Sequence, residues 1–88
     1  MKAKLVTYDS KNLNSSKSSR LSQKLYGYVD KSNHGTYSYK RSGILDNVTH
    51  IKISPKTFIV KSSEYKIVEK EILKFGIEPM TWDIIIEE

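Results

Sequence analysis

Between residues 62 and 86 the apolar residues change their spacing, and that change limits the folds open to the chain. Tyr65, Val68, Ile72 and Phe75, widened by Leu73, recur at the three- and four-residue intervals of one helical stripe. Ser62 or Ser63 is placed to cap this helix, Glu64 falls in its first turn, Lys74 in its last, and Gly76 stops it. From Met80 the period is two: Met80, Trp82, Ile84 and Ile86 alternate with Thr81, Asp83 and Ile85. Because Ile84, Ile85 and Ile86 are apolar on both faces, the strand is expected to be interior, or covered at one edge by a partner.

The rest of the chain repeats the theme. Lys4 to Tyr8 reads as a strand that turns at Asp9-Ser10. Residues 10–19 are rich in Ser, Asn and Lys and read as a mobile loop, within which Asn14, Ser15 or Ser16 can cap a helix. Leu21, Leu25 and Val29 then form a helical stripe with Tyr28 alongside and Gly27 near its fraying end. Ser32-Asn33-His34-Gly35 is a turn signal. Tyr37, Tyr39 and Arg41 alternate with Thr36, Ser38 and Lys40 at strand spacing, and Ser42-Gly43 breaks the run. His50 to Ile53 and Thr57 to Val60 read as two strands joined by a turn at Pro55.

This order predicts a single α+β domain over residues 1–88, a small two-layer sandwich with the βαββαβ, ferredoxin-like succession and room for an extra hairpin. A winged helix-turn-helix is the alternative. It would make Tyr37 to Leu45 the recognition helix and the Pro55 hairpin the wing. Leu, Ile, Val and Phe make up 23 of 88 residues, enough for one modest core.

Several function classes drop out. With no cysteine and two histidines, His34 and His50, neither disulfides nor a structural zinc site is expected, and no cofactor is implied. No apolar run approaches the length of a membrane span, and the first residues lack the apolar stretch of a signal peptide, so the expected location is inside the cell. No P-loop, dinucleotide fingerprint or nucleophile elbow is present.

Charge points to a partner. The net charge is +5, but residues 1–62 carry twelve Lys and Arg against Asp9, Asp30 and Asp46, whereas residues 63–88 carry three Lys against seven acids. Such segregation predicts a basic face suited to an anion. Tyr26, Tyr28, Tyr37 and Tyr39 are interleaved with Lys24, Lys31, Lys40 and Arg41. Cations neutralise phosphates while rings stack on bases, so nucleic acid is the expected partner, with single-stranded RNA the natural target.

Three groups of candidate contacts follow. Lys17, Arg20 and Lys24, spaced i, i+3 and i+7, share one helix side. Tyr37 and Tyr39 would stack, with Lys40 and Arg41 on phosphate. Lys52 and Lys56 flank Pro55 at a hairpin tip, where lysines also guard an edge against aggregation. A tyrosine on a strand is more often half-buried core, and a charge run more often a solvated face. Two other functions compete: homodimerisation or protein interaction through the acidic C-terminal strand, and a metal-independent ribonuclease using His34 or His50 with Tyr37, Tyr39, Lys40 or Arg41.

Overall fold

Ser15–Tyr26 (α1) and Tyr65–Leu73 (α2) lie on one face of a four-stranded antiparallel sheet built from Lys2–Thr7 (β1), His50–Ser54 (β4), Thr57–Lys61 (β5) and Met80–Ile85 (β6). The sheet order is β4-β5-β1-β6. Between α1 and β4 the chain forms a separate antiparallel hairpin, Tyr28–Ser32 (β2) with Tyr37–Arg41 (β3), followed by a 3-10 turn over Ile44–Asn47. This is a computed structural model, and it describes residues 1–32, 35 and 37–87.

Strand register sorts the side chains. Val6 faces Phe58 and Thr81, and Lys4 faces Val60 and Asp83, so these positions share the helix side of the sheet. Val6, Phe58 and Val60 join Leu21 and Leu25 of α1 and Tyr65, Val68 and Ile72 of α2 in one buried cluster, closed at one end by Leu45 and Val48. Tyr26 meets Phe58 edge to face, with ring centroids 6.4 Å apart.

Both helices have recognisable ends. Asn14 holds extended backbone and its side chain accepts a 2.8 Å hydrogen bond from Lys17 N, capping α1. Asn14→Ala is expected to cost about 1 kcal/mol in urea unfolding, while Ser15→Ala, which removes no cap, should cost far less. Gly27 ends α1 at φ 80°, and its N–H bonds to the Gln23 carbonyl at 2.8 Å. Gly76, at φ 77°, lies just past the C-terminal end of α2.

The structure corrects several expectations. Of the three caps offered within residues 10–19, Asn14 is the one used, so Ser15 to Ser19 of the stretch read as a loop belong to α1. It stops at Tyr26, so Val29 leaves the helical stripe and lies exposed on β2. Neither Ser62 nor Ser63 makes a side-chain cap at α2. Residues Ser62–Glu64 form a 3-10 turn instead, and the Glu64 carboxylate accepts bonds from Thr49 N and Thr49 Oγ1 at 2.8 and 3.2 Å. The winged-helix alternative fails because Tyr37–Arg41 is a strand paired with β2, as its two-residue alternation favours. Finally, of the two places expected for β6 the interior one fails: among the described residues it is an edge strand paired with β1. The turn signal at Ser32-Asn33-His34-Gly35 falls largely outside the described residues.

No described helix is long and apolar enough to cross a membrane.

Candidate nucleic-acid interface

The hairpin carries its aromatic residues on one side. Opposed residues in an antiparallel pair share a face, and so do alternate residues along a strand. Tyr28 opposes Arg41, Asp30 opposes Tyr39, and Ser32 opposes Tyr37. Tyr28, Tyr37, Tyr39 and Arg41 therefore occupy one face, while Val29 and Lys40 occupy the other. Tyr28, Tyr37 and Tyr39 are 43%, 53% and 51% exposed, which removes them from the core. Tyr26 is the one tyrosine of the interleaved set that packs inward, and burial pushes its phenol up to about 12. The Arg41 guanidinium lies 5.8 Å from the Tyr39 ring centroid and 3.2 Å from the Asp30 carboxylate.

At the base of the hairpin this face opens into a cleft of about 610 Å³. Arg20 and Lys24 from α1, Tyr28 and Arg41 from the hairpin, Glu71 from α2 and Lys74 just past its end line it. A neighbouring depression shares Arg20, Lys24, Glu71 and Lys74 and extends to Lys17. The groove between the helices thus gathers five cations against one acid. Glu71 is partly satisfied by Lys74 at 3.3 Å, whereas Lys17, Arg20 and Lys24 have no ion pair among the described residues.

Two glycines set the base. Gly27 and Gly43 sit where the end of α1 passes under the end of β3, and Gly43 is buried. A side chain at Gly43 would overlap the backbone of Leu25 and Gly27, and one at Gly27 would overlap the Arg41 carbonyl. Gly43 N donates to Asp46 Oδ2 at 2.9 Å, which ties the crossing to the 3-10 turn. Close backbone approach is what delivers Tyr28 and Arg41 to the cleft beside Arg20 and Lys24.

Of the residues expected from sequence, Lys17, Arg20, Lys24 and Arg41 come together, with Tyr37 and Tyr39 on the adjoining hairpin face. Lys40 points to the opposite face of the hairpin. Lys52 lies 4.4 Å from the Tyr26 ring centroid, and Lys56 occupies the β4–β5 turn where its carbonyl accepts from Tyr8 N. Neither Lys52 nor Lys56 lines the cleft. His50 places Nδ1 3.1 Å from the Val48 carbonyl, and His34 lies outside the described residues. Lys74, Tyr28 and Gly43 are the site residues that sequence reasoning did not assign. Lys74 showed only as a helix-end cation, and its place opposite Arg20 depends on helix packing.

The chain matches no known family model, no curated protein and no solved structure.

Proposed function

We propose that this protein binds single-stranded nucleic acid, RNA foremost, along the cationic cleft and the tyrosine face of the β2–β3 hairpin. The observation that carries the reading is continuity: the exposed Tyr37, Tyr39 and Tyr28 lead through Arg41 into a groove lined by Lys17, Arg20, Lys24 and Lys74. A single strand needs both components. Phosphates pair with cations and release counterions, and unstacked bases find aromatic faces. Duplex bases are already stacked and leave the tyrosines nothing to add. The strand order β4-β5-β1-β6, with both helices on one side, supports reading the frame as the ferredoxin-like split β-α-β sandwich with the hairpin inserted after α1. The fold by itself confers no function.

Two substitutions separate the roles. Tyr39→Ala is expected to weaken binding to a labelled single-stranded RNA roughly tenfold, from the loss of about 1–3 kcal/mol of stacking, with the salt dependence unchanged. Arg41→Ala should reduce the slope of log K against log salt by about one. Fluorescence anisotropy across a salt series reads both. Parental behaviour in both variants would show that the hairpin face does not touch the ligand.

A further inference from the structure

The sheet face turned away from the helices is largely apolar and, among the described residues, half-exposed over most of its width. Strand register runs a straight row across all four strands: Ile51 opposes Ile59, Ile59 opposes Leu5, and Leu5 opposes Trp82. Met80 and Ile84 flank Trp82 on the same side of β6. Ile51, Met80 and Trp82 are 51%, 57% and 50% exposed. Lys61, opposite Ala3 at the margin, is the single charged residue that the register of β1, β5 and β6 places on this face.

We infer that this face is the contact surface for a second copy of the chain, two sheets stacking about a two-fold axis with the helices outward. Three properties select a second copy. First, the row carries no charge, so two identical faces meet without like-charge repulsion, although the chain as a whole is cationic at +5. Second, the groove lined by Arg20, Lys24 and Lys74 lies on the helix side, so stacking through the bare face directs the two cationic grooves away from each other. Third, the area suffices. Four strands about 4.8 Å apart and five residues long at about 3.4 Å each make a face of about 19 by 17 Å. Ridged by side chains, it offers roughly 600 Å² per copy, near the lower bound of specific interfaces. Aligned sheet packing at about 10 Å separation would interdigitate the two rows and bury Trp82 between the sheets.

The inference stands on a different surface from the proposed nucleic-acid site, so the two can fail separately. Sedimentation equilibrium of the full chain from about 1 to 200 μM should show the mass rising from 10.2 kDa toward twice that value. Emission of Trp82, the one tryptophan, should shift to the blue in parallel. Ile51→Lys and Trp82→Lys should each raise the dissociation constant at least 100-fold. Their positions on opposite edge strands mean that only a contact across the whole face is sensitive to both. Ile67→Lys, on the exposed side of α2, should leave the dimer intact. Circular dichroism verifies that each variant is folded, and Ile51→Lys preserves the test if Trp82→Lys is not. A monomer at every concentration with constant Trp82 emission would overturn the inference, as would a dimer that survives Ile51→Lys.

Discussion

Gly43→Ala is expected to destabilise the protein by about 3 kcal/mol, the upper end of the usual cost of overpacking. For a domain of this size that corresponds to a fall in melting temperature of roughly 15 °C. Gly43 has φ −97°, which any residue can adopt, so backbone conformation is not the cause. The cause is the crossing: the added methyl group would meet the main chain of Leu25 and Gly27, which cannot swing aside as a flexible side chain can. A chain of 88 residues has a total stability of about 4–13 kcal/mol, so the loss is a large share of it. Gly76→Ala is the control. Gly76 has φ 77° with nothing near the position a Cβ would take, so its replacement should cost only the left-handed penalty of about 1–2 kcal/mol. Urea unfolding of the two variants compares steric overlap with backbone strain. Equal losses would mean that the crossing relaxes and that the hairpin is not held tightly against α1.

The second large effect concerns binding. Replacing Arg20, Lys24 and Arg41 together by alanine removes three of the five cations of the groove. All three residues are exposed, so the fold should tolerate the change. Three lost phosphate contacts on a single strand should reduce the slope of log K against log salt by about 2. At low salt, affinity should fall between one hundredfold and a thousandfold. A matched triple of Lys40, Lys52 and Lys56 to alanine changes net charge by the same amount but lies outside the cleft. It should therefore cost much less. If the two triples weaken binding equally, the attraction is that of overall charge and the cleft has no special part. Arg41 also pairs with Asp30, an exposed bridge whose loss contributes at most about 1 kcal/mol to stability.

Much of this frame was legible because it is written in local periodicity. The α2 stripe, the alternation in β6 and the paired runs around Pro55 fold where their spacing indicates, and the strand expected at Lys4 to Tyr8 runs from Lys2 to Thr7. β2 was hidden because Tyr28 and Val29 continue the spacing of Leu21 and Leu25. The helix ends instead at Gly27, where residues 41–43 cross it, and no local pattern records a crossing partner fourteen residues away. For β6 the sequence left two places open, interior or covered at one edge by a partner, since apolar residues on both faces suit either; the edge is the one observed. In the structure Trp82 and Ile84 face the bare side, and Ile85 stands 76% exposed on the other.

The same distinction divides the site. Lys17, Arg20 and Lys24 were readable as one helix side, and Tyr37, Tyr39 and Arg41 as one strand side. That period of two also separates Lys40 from them, so grouping Lys40 with Arg41 as neighbours in sequence blurred two faces of the hairpin. Lys74 enters through the packing of α2 beside α1, and Lys52 is drawn instead over the Tyr26 ring. Segregation of charge along the chain is partly undone on folding: Asp83 pairs with Lys4, and Glu71 lines the groove beside Arg20 and Lys24.

The most direct measurement is a titration of the ¹⁵N-labelled protein with a short oligouridine, read by amide chemical shifts and repeated with heparin. The predicted result is that RNA perturbs residues 17–28, 37–43 and Lys74, and that heparin perturbs the groove but leaves Tyr37 and Tyr39 in place. Shifts confined to the β4–β5 turn around Lys56, or an identical response to both polymers, would contradict a stacking interface on the hairpin.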